Sequence, residues 1–387
     1  MMPEPDYQQC QGKAAMKRLS GNGLDLILCL AAGLSFTGVS AAPEAPPTRN
    51  VILVVGDGLG FSHLLAGRSH RGDLRAPLVM EQLPSSGSLD TLSLGEEWIT
   101  DSAASASAMS TGSKTTNGRI ATSPSGESLE TLFATLRARG YAVGVATTGD
   151  LNGATAASFI TSAPSRRDKE AISRGIMHFA PDVMVGNSAE FFYPDGPAPV
   201  SVATLKAAGW DVHVDVPFDD IHAGGSPLLI GYSEYIDEAQ SLEAERNVLQ
   251  AGAPHLAEAT RFAIQHLSRA SEKGFFLLVE EDWIDSWGHD NNFSLLAEMV
   301  VHLDDTVAVV REYAEQEQRT LLVVTSDHEC CGLTIKSLGP ENIEVQFASE
   351  DHTAQSVPLF AYGPGAEFFD SRLDNAEIRE RVLHLLP

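Results

Sequence analysis

The sequence predicts an α/β fold, a mostly parallel central sheet with helices on both faces. Two observations carry this. Continuous apolar runs rich in Val, Ile and Leu recur along the chain, as strands buried on both faces require. Between them lie stretches with helical spacing, and no internal repeat or long low-complexity tract interrupts the alternation.

NVILVVGDG (50–58) is the first strand, ending in Asp57 and a glycine. TDSAASASAMSTG (100–112) sets Ser102 directly after Asp101, at the head of a helix of small residues and at a strand-to-helix junction. Residues 127–139 suit a helix and YAVGVATTG (141–149) a strand. PDVMVG (181–186) and PLLIGY (227–232) are further strands. The Gly-, Pro- and acid-rich span 186–225 reads as loops and short strands. A helix over 254–269 leads into the strand GFFLLVEED (274–282). The long amphipathic helix 293–317 precedes RTLLVVTSDH (319–328), the strongest strand signal. VPLFAYGP (357–364) is a last strand, and 374–386 a closing helix.

Composition narrows the function. With 387 residues the chain can bury a large core, in one large domain or two smaller ones. The net charge of −26 argues against nucleic-acid binding, which runs on Lys and Arg against phosphate. Met16, Lys17 and Arg18, the apolar stretch 26–36 and the small residues 39–41 read as a signal peptide over 1–41, with Met16 an alternative start. The apolar run is too short for a spanning helix. The expected location is periplasmic or secreted. Cys330 and Cys331 are adjacent, and consecutive Cα atoms stand about 3.8 Å apart, shorter than most disulfides prefer. They read as buried free thiols, with metal binding beside a His the lesser alternative, and no disulfide framework is expected.

Acids fall where strands end. Asp57, Glu280 and Asp327, with His328, close three strand runs. In open α/β sheets ligands bind beyond the carboxyl ends of strands. Each acid alone could cap the next helix. Together on one rim they repel one another unless a cation lies between. Asp285 and His289 are four apart and share one helical face. His352 stands just before the last strand. His/carboxylate sets suit zinc. Near a helix N-terminus, Ser102 would meet free N–H groups that favour an anion, and a divalent cation could turn its weakly nucleophilic hydroxyl into an alkoxide.

These pieces resemble the alkaline phosphatase family. VGDGLG, TDSAASASAMSTG, ATAASF, SRRD, VEEDWIDSWGH, TSDHECCGL and HTAQSVPLFAYGP stand in that family's order over about residues 50–366. The resemblance implies a single catalytic domain over 42–387. It implies one zinc on Asp285, His289 and His352, and a second on Asp57, Asp327, His328 and the Ser102 oxygen. It implies a third, magnesium-type site on Asp57, Thr155 and Glu280, and Arg166 as a fork for two phosphate oxygens, with Arg167 its rival. The implied reaction is hydrolysis of small phosphate monoesters through a phosphoserine at Ser102. Relatives are often homodimers; no interface signature is visible here. Gly153 replaces the family's Asp or His, and Ser286 its Lys, His or Trp, so a weak third site is expected. Only 24 positions separate His328 from His352, which implies a compact form with little or no crown domain. The rival readings are a phosphodiesterase or other hydrolase of the superfamily, and a non-catalytic metal or phosphate binder.

Overall fold

The protein is described by a computed structural model covering residues 47–193, 195, 199–222, 225–232, 256–339 and 343–387. The leader-like residues 1–41, with Cys10 and Cys29, lie outside the described residues. Fourteen strands are described: β1 Asn50–Gly56, β2 Ser85–Asp90, β3 Ala142–Asp150, β4 Val183–Asn187, β5 Asp211–Val214, β6 Leu228–Tyr232, β7 Phe275–Glu281, β8 Thr320–Thr325, β9 Glu329–Cys330, β10 Thr334–Leu338, β11 Ile343–Gln346, β12 His352–Thr353, β13 Val357–Tyr362 and β14 Arg372–Asp374. Ten form one sheet in the order β14-β2-β13-β8-β1-β7-β3-β4-β6-β5. Only β13 runs against its neighbours, so the sheet is mostly parallel.

The apolar runs are continuous because both faces of the sheet are covered. Along β1, Val51, Leu53 and Val55 face one core, and Ile52 and Val54 the other. On β7, Phe276 and Leu278 join the first core; Phe275, Leu277 and Val279 join the second. A strand with period two and no solvated face has no polar position to alternate with. Phe276 packs in an aromatic group with Phe133 at 5.8 Å and Phe159 at 6.1 Å.

Several boundaries differ from the sequence reading. The expected helix over 127–139 is shorter, Leu132–Ala138, because Thr131 caps it by accepting from Ala134 N–H. The helix Ser102–Thr111 is entered from the loop 91–101 rather than straight from a strand. The span 186–225 carries a short helix, Val202–Ala207, and the edge strand β5. Strands β2 and β14 carried no apolar run; Ser85–Asp90 is SSGSLD, a largely half-buried strand. Cys330 and Cys331 are buried as expected, but their sulfurs are joined as a disulfide rather than free. Between His328 and His352 the described residues carry only the short strand β9 and the two-stranded pair β10–β11, so the molecule is compact there. No described helix is long and apolar enough to cross a membrane.

Phe276→Ala removes a fully buried ring from the middle of the sheet. Urea denaturation should show a loss of about 3–5 kcal/mol.

Candidate active site and metal centre

Strand register builds the site. Val55 lies opposite both Glu280 on β7 and Thr325 on β8, and Thr147 on β3 lies opposite Glu280. The parallel strands therefore end level, and the residues at and just past their ends emerge on one rim: Asp57 after β1, Glu280 at the end of β7, and Asp327 with His328 after β8. Asp57 is pinned by its N–H, which donates to Glu281 O at 3.0 Å. The β9–β12 ladder sets His352 opposite Cys330. This brings its ring onto His328, with centroids 3.5 Å apart. The helix Trp283–His289 presents Asp285 and His289 on one face, with His289 Nε2 3.1 Å from Asp285 Oδ2.

Ser102 heads a helix whose small residues answer two needs. The helix is buried along almost its whole length, against the sheet and against the helix Ala154–Ile160, where Ser107 and Ser158 hydroxyls meet at 3.2 Å. Nothing larger would allow that approach. Asp101 caps the helix: Oδ1 accepts from Ala104 N–H at 2.9 Å, while Oδ2 accepts from Gly118 N–H and pairs with Arg166 at 3.2 Å. The Ser102 hydroxyl is left 3.3 Å from His328 Nε2.

The donors fit cations. His328 Nε2 is 3.3 Å from both Asp57 Oδ1 and Asp327 Oδ2. His352 Nε2 and His289 Nε2 face each other at 3.2 Å, and His352 Nε2 is 3.5 Å from Asp285 Oδ1. The other ring nitrogens of these two histidines lie against backbone carbonyls, His352 Nδ1 against Thr100 O at 2.8 Å and His289 Nδ1 against Glu350 O. When the rings are neutral, donation to those carbonyls leaves the inward nitrogens as lone-pair donors, as the outer hydrogen bonds of metal-binding imidazoles do. Asp57 Oδ1, Asp285 Oδ1 and Asp327 Oδ2 are buried without a hydrogen bond. Two three-residue sets, Asp285/His289/His352 and Asp57/Asp327/His328, each hold their ligand atoms within 4.8 Å of one another. Glu280 accepts from the Thr147 hydroxyl at 2.7 Å, and Thr155 lies beside its carboxylate.

Electrostatics say the same. Burial, reinforced by Asp327, Asp285, Asp282 and Glu280, pushes the Asp57 carboxyl well above the usual range. Burial raises Glu280 too, and takes Glu281 to about 7. Burial alone would raise Asp285, but hydrogen bonds from His289 and His352 hold it well below the carboxylate range. The hydrogen bond to Asp285 lifts His289 to about 9. Burial depresses His328. The carboxylates raised in this way, Asp57 and Glu280, favour their protonated forms until a cation displaces the proton.

A cavity of about 250 Å³ opens onto this rim, lined by Ser102, Arg166, Asp57, Asp285 and His289, and also by Lys169 and Asp282. Arg166 lines it and Arg167 does not. The ten residues singled out in the sequence thus gather at one edge. Sequence reasoning had not assigned Asp282, Lys169 or the Asp101–Arg166 clamp. Asp282, third in a run of acids at a strand end, was the one with a visible signal.

The sequence model described as alkaline phosphatase matches residues 48–195 and 236–344. The chain belongs to the alkaline phosphatase family. It is 29% identical to streptomycin-6-phosphate phosphatase of Streptomyces griseus, over 95% of this chain and 96% of that one. It is 27% identical to an alkaline phosphatase of Escherichia coli, over 83% and 82%. The structure of the alkaline phosphatase from the Antarctic bacterium TAB5 matches with a TM-score of 0.78 at 27% identity, covering 89% of this chain and 99% of that one. A variant of that enzyme, matching equally well, was solved with Mg bound in its M3 site. Family membership supports a phosphatase or hydrolase with metal cofactors.

The folded value of His289, about 9, lies above its unfolded value of about 6.5. Its contribution to stability is therefore complete below pH ~6.5 and is lost as pH rises through about 9. The Tm of metal-stripped protein should fall between pH 6.5 and 9.5, and His289→Gln should shrink that fall. Equal melting points at both pH values would contradict the assignment.

Proposed function

We propose that this chain is an alkaline phosphatase that hydrolyses small phosphate monoesters through a phosphoserine on Ser102, using two zinc ions and a third, magnesium-type ion. The observation that carries the reading is the position of the Ser102 hydroxyl, 3.3 Å from an imidazole that also faces Asp57 and Asp327. A hydroxyl has been set against a collection of cation ligands, with the Arg166 guanidinium lining the same cavity.

When bound, divalent ions would neutralise the carboxylates, favour the alkoxide of Ser102 and stabilise charge on the entering and leaving oxygens. Asp57, Asp327 and His328 would hold one zinc; Asp285, His289 and His352 the other; Asp57, Thr155 and Glu280 would hold the third ion. The remaining work falls to the chain. Arg166, held by Asp101, forks two non-bridging phosphate oxygens. Ser102 Oγ forms a bond to phosphorus as the bond to the leaving alcohol breaks, and the hydroxyl proton ends on that alcohol. Water then cleaves the phosphoserine, releasing phosphate and restoring the hydroxyl. Arg166 favours a monoester over a diester, because a fork for two free oxygens suits a doubly charged terminal phosphate. The relative from Streptomyces griseus, named for its action on streptomycin-6-phosphate, supports the same substrate class. We read the chain as exported, periplasmic or secreted, on its leader-like residues 16–41.

Hydrolysis of p-nitrophenyl phosphate at alkaline pH should exceed that of bis-p-nitrophenyl phosphate by orders of magnitude, and EDTA should abolish it. Preference for the diester would move the chain to the phosphodiesterases; no hydrolysis of either would leave a binder. Ser102→Ala should remove nearly all turnover with zinc content unchanged. Arg166→Ala should lower kcat/KM by about 10²–10³-fold, the usual loss for one preorganised charge-stabilising group.

A further inference from the structure

We propose that Asp282 is a direct ligand of the third cation site, entering from the β7 side in place of any side chain at position 153. The proposal rests on the metal-assisted reading above and concerns which of this chain's own residues complete the site.

Asp57, Glu280 and Asp282 bring carboxylate oxygens within 4.8 Å of one another. Acidic side chains gather on many surfaces without an ion. Here two enclosed oxygens point to one. Thr155 Oγ1 belongs to a residue only 2% exposed and lies against the Glu280 carboxylate without a hydrogen bond of full geometry. Asp57 Oδ1, on a residue 3% exposed, also makes none. Leaving such groups unpaired is costly unless something fills the space between them. Three carboxylates and a hydroxyl are hard oxygen donors, the set that suits magnesium.

Two glycines show why position 282 supplies the ligand. Gly153 N–H donates to Asp150 O at 2.8 Å and closes a tight turn before the helix Ala154–Ile160. A Cβ on residue 153 would stand 2.8 Å from that same carbonyl oxygen, closer than the turn allows. On the facing wall, a Cβ on Gly149 would stand 2.7 Å from Asp282 Cγ. The end of β3 is bare where the Asp282 carboxylate lies over it. Asp282 is itself anchored, its N–H donating to the Thr148 hydroxyl at 2.9 Å. The weak third site expected from Gly153 is then replaced by one with an added negative charge, which strengthens divalent binding. Asp282 also lines the substrate cavity and lies in the field of Arg166, so the ion it holds borders the phosphate.

Zinc-loaded protein freed of magnesium should be titrated with Mg²⁺ by calorimetry, and its bound metals counted by mass spectrometry. The parent should take up one magnesium beside two zincs. Asp282→Asn should raise the Mg²⁺ Kd by about tenfold or more, with the zinc count unchanged. Should the Asn variant fail to fold, Asp282→Ser is read the same way. An unchanged Mg²⁺ Kd in a folded variant, or a parent that binds no third ion, overturns the proposal. A parent that binds magnesium through Asp282 yet hydrolyses no phosphate ester would sink the functional reading and leave this one standing.

Discussion

Asp57, Asp327 and Asp285 all lie within 3.9 Å of one buried imidazole, His328. Each of these carboxylates keeps one oxygen enclosed without a hydrogen bond. No arrangement of the protein's own protons satisfies such a group at neutral pH, since bringing like charges together in a low-dielectric rim raises the pKa of some and leaves others ionised. Divalent ions bound there would resolve the conflict. The same ions would make Ser102 reactive, so the crowding of acids and the chemistry at this rim share a cause.

The sheet enforces this crowding. Parallel strands in register end together, and β1, β7 and β8 deliver their acids to one edge because Val55 aligns with Glu280 and Thr325. Two apolar cores lock that register, since a slip of one residue would turn Ile52 and Val54 into the space of Leu53 and Val55. Packing energy far from the rim thus holds mutually repelling groups within ion-pair distance. The small-residue helix Ser102–Thr111 adds the Ser102 hydroxyl at close range, and the β9–β12 ladder adds His352.

Much of this was legible in the residues. Strands buried on both faces announce themselves as unbroken apolar runs, and the acids at their ends are found by reading where those runs stop. The i, i+4 pair Asp285 and His289 needed only helical geometry. Thr155 and Arg166 did not show themselves in this way; a lone threonine before a small-residue run and one of two adjacent arginines gain meaning only beside a known family. β2 was hidden because SSGSLD has no apolar run, and the helix Ala154–Ile160 because it is buried all round and has no amphipathic period. The pairing of Cys330 with Cys331 ran against ordinary disulfide spacing. Asp282 was passed over because an acid coming after two others at the start of a helix resembles ordinary first-turn charge.

The central claim is that two transition ions sit side by side at this rim with Ser102 between them and the cavity. Anomalous X-ray diffraction at the zinc edge, on crystals of zinc-loaded protein, tests it most directly. Two peaks about 3.5–4 Å apart are expected, one among Asp285, His289 and His352 and one among Asp57, Asp327 and His328, the latter within bonding distance of Ser102 Oγ. Zinc bound elsewhere, or a single peak remote from Ser102, would contradict the account.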